Sequence, residues 1–310
     1  MAGDEARTAR AVGAAAAAGR LLGLEAREPR VLYDVFSVVV HLAPSPVVVR
    51  VPTVLPASYT LRPEAQLAQQ RAELAVTGWL ADHGHPVVPP SPLVPREPVV
   101  REGFSMTFWQ LVEEVRVPDP DTTSRLAMTA RLHAVLADYT DENLGFWAPF
   151  ATYVPDGLTA LESLPDLLPA ADLDRARREW STVEPIVSSR DAFEREFPGV
   201  AIQTIHGDAP FHNMITTPAG EYWADFELVT LGPVESDVAL AGADGVATYD
   251  EAAVRLGLRA SDPRVLRLVE AAGSLATVAC LAMAPQLPML VGAVEPALAQ
   301  WRSTPLFTGP

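Results

Sequence analysis

The feature that most constrains the fold is a pair of β-branched runs near the N-terminus. Val35, Val38, Val39, Val40 and Leu42 form one run and Val47 to Val51 the other, with Ala43, Pro44, Ser45 and Pro46 between them. Branched side chains lose rotamer freedom in a helix and pack well on a pleated surface, so two such runs around a Pro-rich turn predict a hairpin. Helical sequence flanks it. Glu5 to about Ala26 is rich in Ala, Leu and Arg, and Pro63 to about His83 has Pro at its start and Gly84 after its end. After a proline-crowded stretch from Pro86 to Pro98, Phe104 to Val112 supplies one more strand, before a second Pro-containing stretch at Pro118 and Pro120.

Beyond that point the periodicity is helical. Met128, Leu132, Val135 and Tyr139 fall on one helical face, and Leu126, Ala130, His133 and Ala137 on the opposite one, which places this helix inside a domain. Leu173 to Glu184, Asp191 to Phe197 and Pro263 to Leu281 also read as helices, separated by one compact β-rich stretch, Ile202 to Leu231. The outline is a small β-rich N-terminal lobe, residues 1–112, followed by a larger, mainly helical lobe, residues 113–310.

Composition removes several functions. The chain has 310 residues and a formal net charge of −16, which disfavours a nucleic-acid partner because neutralising phosphates needs a basic face. Its 23 basic residues are all arginine, so a Walker-A lysine, a Schiff-base lysine and a lysine general base are excluded. The single cysteine, Cys280, rules out an intramolecular disulfide framework and a cysteine-based zinc site, and a reducing cytoplasm is the default location. Asp4, Glu5 and Arg20 argue against an export signal, and Pro285 and Pro288 break the longest apolar run, Val278 to Val294, so no membrane is expected. Residues 1–112 carry ten acids and ten arginines, which assigns the whole −16 to the larger lobe and predicts that its partner is not an anion.

The chemistry concentrates in Ile205-His206-Gly207-Asp208-Ala209-Pro210-Phe211-His212-Asn213, followed by Trp223-Ala224-Asp225-Phe226-Glu227. An Asp, an Asn five residues on and a further Asp after a short hairpin are the minimum for metal-assisted phosphoryl transfer. One carboxylate accepts the proton of an attacking hydroxyl, while an amide oxygen and a second carboxylate hold Mg²⁺ against nucleotide phosphates. The spacing matches the kinase catalytic loop H-x-D-x-x-x-x-N, with Asp-Phe-Glu in place of Asp-Phe-Gly. A zinc reading of His206 and His212 lacks a third well-spaced ligand.

His-Gly-Asp-x-x-x-x-Asn, then Asp-Phe-Glu, then Gly232-Pro233 and Asp237, resembles the aminoglycoside phosphotransferase and choline kinase group of kinase-like small-molecule phosphotransferases. The resemblance is tight from Ile205 to Ala239 and covers most of the chain in outline. It implies an α+β, bilobal protein-kinase-like fold, ATP or GTP as donor, Mg²⁺ as cofactor and a small hydroxylated acceptor, in a monomer or homodimer. By residue it implies Asp208 as catalytic base, His206 as support for the loop backbone, Asn213 and Asp225 as metal ligands, Glu227 as an accessory metal or water contact, and Asp237 as a brace for the loop.

In the first lobe the family places a phosphate-binding Lys on the third strand, oriented by a helix Glu. Here the matching strand offers Arg50, whose planar fork differs from a point charge, with Glu73 as the first partner candidate and Glu64 as the second. The phosphate-covering loop corresponds to Tyr33 to Ser37, which contains no glycine, and the hinge that meets the purine to Trp109, Gln110, Leu111 and Val112. The leading expectation is transfer of the γ-phosphate to a small, cationic acceptor such as an aminoglycoside or other antibiotic. A metabolic kinase for choline, a sugar or an amino alcohol, and a degenerate kinase-like binding protein, are the alternatives.

Overall fold

A computed structural model describes residues 2–117, 121–209 and 213–309, with the side chains of 2–4 and 148–151 left aside. The expected turn prolines Pro118 and Pro120, and His212, lie outside the described residues. In chain order the first elements are α1 (Ala2–Leu21), β1 (Ala26–Asp34), β2 (Ser37–Pro44), β3 (Val47–Pro52), α2 (Ala57–Leu61) and α3 (Pro63–Asp82). There follow β4 (Val99–Arg101), β5 (Phe104–Gln110), α4 (Thr122–Leu136), α5 (Ala148–Leu161), α6 (Ala170–Val187) and α7 (Arg190–Glu196). The chain continues through β6 (Gln203–Ile205), β7 (Met214–Thr217), β8 (Gly220–Trp223), β9 (Thr230–Gly232), α8 (Gly242–Arg255), α9 (Pro263–Cys280) and α10 (Leu290–Ser303).

The chain divides into two compact units. The first comprises residues 1–55, 59–117 and 214–227, and the second residues 56–58, 118–213 and 228–310. The first unit therefore runs past residue 112 and takes in the β7–β8 hairpin from the middle of the second lobe's sequence. With that hairpin it holds 15 acids and 11 arginines, a net −4, leaving −12 on the second unit.

The first unit is built on an antiparallel sheet ordered β1-β2-β3-β5-β4. Alternation sorts its residues. Val38, Val40, Leu42, Val47, Val49, Val51 and Phe108 are buried against the alanine face of α1, where Ala11, Ala14, Ala15 and Ala18 bring the helix backbone close. The opposite face carries the lateral row Tyr33↔Val39↔Arg50↔Thr107, read from the pairings of β1 with β2, β2 with β3 and β3 with β5. β1 fills the stretch between the expected helix, which ends near Ala26, and the branched run that begins at Val35, where the sequence predicts no element. Its side chains are almost all exposed, so no apolar alternation marks it.

The second unit is mainly helical, with β6 and β9 as its short sheet. Its core joins Val154, Leu158 and Leu161 of α5, Ala176, Trp180 and Val183 of α6, and Val265, Leu268, Leu275 and Val278 of α9. Half of the apolar segment Pro263–Met283, long and apolar enough by composition to cross a membrane, is buried in this core. Trp147 is buried here and donates its Nε1–H to Ser236 at 2.8 Å.

Candidate active site

Two clusters gather the predicted site residues, one in each unit. In the first unit β3 projects Arg50 from the sheet face opposite α1, and α3 presents Glu73 to it. Arg50 Nη2 donates to Glu73, while Nη1 donates to Asp225 Oδ1 at 2.6 Å and to Glu227 Oε2 at 2.5 Å. Glu73 is the partner and Glu64 is not. Asp225 occupies the left-handed region with φ 58°, which Asp tolerates better than most residues.

Electrostatically one guanidinium faces three carboxylates. Burial alone would lower the Arg50 pKa, but Glu73, Asp225 and Glu227 together raise it, so the cation is permanent. Burial holds the Glu73 carboxyl above the ordinary carboxylate range, with Asp225 and Glu227 pushing the same way and Arg50 pulling it down. Burial and the Glu227 charge likewise raise the nearby Tyr59 hydroxyl.

In the second unit β6 leads into the loop His206-Gly207-Asp208. His206 N donates to Asp237 Oδ2 at 2.9 Å and Gly207 N to Asp237 Oδ1 at 2.7 Å, so one carboxylate grips two successive amides. The His206 ring is fully buried, and its Nδ1 accepts from Asp208 N at 3.3 Å. Gly207 has φ 88°, and a Cβ there would stand 2.1 Å from the Leu228 carbonyl oxygen, so only glycine fits. Asp208 itself is exposed. Asn213 Nδ2 donates to Asp208 O at 2.7 Å and to Asp208 Oδ2 at 2.9 Å, which leaves Asn213 Oδ1 as the oxygen available to a cation.

Other predicted positions are placed differently from expectation. Tyr33 and Asp34 belong to β1 and Ser37 opens β2, so the expected phosphate loop is a two-residue turn at Val35 and Phe36. Its carbonyls are occupied: Val35 O accepts from Arg7 at 3.2 Å, and Phe36 O accepts the Thr53 and Val54 amides at 3.0 and 2.9 Å. In the hinge segment the N–H groups of Gln110 and Leu111 are taken by Pro89 O and Pro46 O, each at 3.0 Å. Trp109 is buried with Val48, Leu74 and Val88, while Val39, Leu111, Val112 and Ile215 form the partly open side of that cluster.

The match to a model of the phosphotransferase enzyme family runs from residue 38 to residue 269, about three quarters of the chain, and spans both clusters. The chain belongs to that family. No curated protein matches it in sequence. Among solved structures, this phosphotransferase-family chain is similar to the aminoglycoside phosphotransferase APH(3'')-Id of Streptomyces rimosus, with 19% identity, a TM-score of 0.55 and coverage of 83% of this chain and 95% of that one. It is similar to the choline kinase LicA of Streptococcus pneumoniae at 14% identity, with a TM-score of 0.62 over 92% and 96% of the two chains. A third similar structure is the spectinomycin phosphotransferase APH(9)-Ia in complex with ADP and spectinomycin, at 12% identity and a TM-score of 0.53 over 91% and 88%. At these identities the likeness is one of fold: small-molecule kinases with a small antiparallel-sheet part and a larger helical part.

Two residues that the sequence reading left without a role stand behind the loop of this phosphotransferase-family protein. His133 Nε2 lies 3.0 Å from Asp237 Oδ2, and His133 Nδ1 lies 2.7 Å from the Tyr249 hydroxyl. Burial would raise the Asp237 carboxyl, but the hydrogen bond and charge of His133, with His206 and the Gly207 amide, hold it below the ordinary carboxylate range. Tyr249 is raised by burial and by Glu235 and Asp237, so it remains a hydroxyl. The available signal was His133 itself, a polar ring on an otherwise apolar helix face.

For Mg²⁺ the test is the donor set. Among the described residues no group of three or more His, Cys, Asp or Glu is placed to hold a metal by itself. Mg²⁺ in nucleotide enzymes takes one or two carboxylates and completes its shell with phosphate and water oxygens. Asp225 and Glu227, with side chains 41% and 44% exposed, fit that requirement. Arg50 Nε, buried and without a partner among the described residues, is an N–H donor left for an anionic oxygen.

Proposed function

We propose that this protein transfers the γ-phosphate of ATP or GTP to a hydroxyl of a small, cationic molecule. The observation that carries this reading is the Asp208–Asn213 arrangement: an exposed carboxylate on a buried, doubly gripped loop, fixed by the amide that would share the metal. In the proposed roles Asp208 accepts the acceptor's hydroxyl proton, Asn213 and Asp225 hold Mg²⁺ with Glu227 as an accessory contact, and Arg50 meets the donor phosphates through its unpartnered Nε. When bound, Mg²⁺ supplies neutralisation of charge on the β- and γ-phosphates. Val39, Leu111, Val112 and Ile215 offer an apolar wall to the purine, and the backbone of Val112 to Glu114 replaces Gln110 and Leu111 as the proposed hinge. That spectinomycin phosphotransferase is solved with ADP supports a nucleotide donor.

The acceptor is proposed as a cation because the second unit carries −12, and a surface of one sign concentrates ligands of the other. Of its acids, Glu251 pairs with Arg255 and Asp250 is tied to Ser261, whereas Asp138 and Asp244 are exposed and form no ion pair among the described residues. Steering fades as the Debye length falls to about 8 Å near physiological ionic strength. Acceptor KM is expected to rise with salt while nucleotide KM changes less, as steady-state kinetics from low to high KCl would record. A salt-independent acceptor KM contradicts the cationic assignment.

The direct test is ATP and GTP consumption against a panel of aminoglycosides, other cationic antibiotics, choline and sugars. A best acceptor that is neutral or anionic sinks the cation, and no acceptor-dependent consumption with any cation or sugar favours a binding protein instead. Asp225→Ala is expected to raise the Mg²⁺ concentration for half-maximal activity by about tenfold or more, because Mg²⁺ would lose one of few protein oxygens. An unchanged Mg²⁺ titration removes Asp225 from the metal.

A further inference from the structure

Arg50 stands where the family places a lysine, and it does something an ammonium does less well: it divides its donors between two sites. Nη2 is held by Glu73, whose side chain is 1% exposed, while the single nitrogen Nη1 bridges Asp225 Oδ1 and Glu227 Oε2 at 2.6 and 2.5 Å. A cation coordinated by both of those oxygens would lie at about 2.0–2.1 Å from each, close to the point that Nη1 occupies. The guanidinium cannot give up its proton to make room, because arginine stays protonated in proteins. Divalent metal and Nη1 are therefore competitors for the same two oxygens.

Resting on the phosphotransferase reading above, we propose that Arg50 is the protein's own cation at the Asp225–Glu227 pair, and that it makes metal binding depend on nucleotide. Without nucleotide, a metal entering the pair must displace Nη1 of a permanent, nine-tenths buried cation, and among the described residues Nη1 has no acceptor besides that pair. With nucleotide, the triphosphate supplies oxygens to the displaced Nη1 and to Nε, which has no partner among the described residues. Metal and nucleotide then enter together, and each raises the affinity for the other by the same factor. This arrangement guards the carboxylate pair against free metal and ties the occupied state to the loaded donor.

The test is Mn²⁺ binding to the full chain without nucleotide, read as the loss of the free-Mn²⁺ signal in electron paramagnetic resonance. Wild type is expected to bind Mn²⁺ weakly, Arg50→Gln at least tenfold more tightly, and Arg50→Lys between the two. Adding Asp225→Asn to Arg50→Gln should abolish the gain. Arg50→Gln and Arg50→Lys proteins that keep the wild-type circular dichroism yet hold Mn²⁺ no more tightly than wild type overturn the proposal. If neither variant folds, wild type decides: ADP should raise its Mn²⁺ affinity at least tenfold beyond that of Mn²⁺ for ADP in solution, and no increase overturns the proposal. ADP binding by wild type, followed by calorimetry, keeps the two readings apart. ADP bound with no Arg50-dependent change in Mn²⁺ affinity removes only the Arg50 role, whereas no ADP binding at any Mn²⁺ concentration removes the phosphotransferase reading itself.

Discussion

Asp208→Asn is expected to yield a folded protein with nearly unchanged nucleotide binding and a turnover lower by about a hundredfold to ten-thousandfold. The fold should survive because the Asp208 side chain is exposed and its loop is held from behind, by the Asp237 carboxylate on the His206 and Gly207 amides. An amide at position 208 keeps one oxygen to accept from Asn213 Nδ2, so the local geometry has a way to persist. What the amide cannot do is take a proton from an attacking hydroxyl. A loose, dissociative transition state asks less of a base, which sets the lower end of the range. Single-turnover kinetics at saturating nucleotide measure the effect. A rate within about threefold of wild type would place the base elsewhere.

The same loop shows why parts of this protein were legible in its sequence. Asp208, Asn213 and Asp225 stand at fixed spacing because a single loop and hairpin carry them, so local sequence contains the arrangement. Arg50 and Glu73 were also within reach, since strand and following helix are adjacent in the chain. The pairing of Arg50 with Asp225 and Glu227 was not, because it joins positions 175 and 177 residues apart and depends on the β7–β8 hairpin packing into the first unit. His133 and Tyr249 are separated by 116 residues, and the helix that carries Tyr249 opens on Gly242 with no side-chain cap to announce it.

Secondary structure followed the same division. β2 alternates between fully and partly buried positions and β3 is buried on both faces, and their branched residues record it. β1 has almost no buried side chains and is a strand only through its pairing with β2. α5 and α10 contain Pro155 and Pro296, residues that a local reading treats as helix breaks and that tertiary packing overrides. The occupied amides of the hinge segment were hidden for a related reason. Hydrogen bonds from Gln110 and Leu111 to Pro89 and Pro46 run to a loop and a turn whose positions no pattern within β5 specifies.

Asp237→Ala should destabilise the protein by about 3–5 kcal/mol and also lower turnover, although residue 237 touches no reacting atom. Its carboxylate is fully enclosed and answers three donors at once: the His206 amide, the Gly207 amide and His133 Nε2. Removing it leaves those buried groups without an acceptor, at about 1–3 kcal/mol for each one unsatisfied. The pH dependence identifies the cause. Because the folded-state pKa of Asp237 lies below its unfolded value, the folded protein binds fewer protons there than the unfolded chain over the interval between the two. The stabilisation is thus complete above the unfolded value, near pH 4, and is lost as pH falls through the lower folded value. The gap between wild type and Asp237→Ala in urea unfolding should therefore be present at neutral pH and narrow below about pH 4. His133→Ala should remove only part of the gap, since both loop amides keep their acceptor. A gap under about 1 kcal/mol at neutral pH, or one that widens in acid, would mean that the loop is held by packing rather than by this carboxylate.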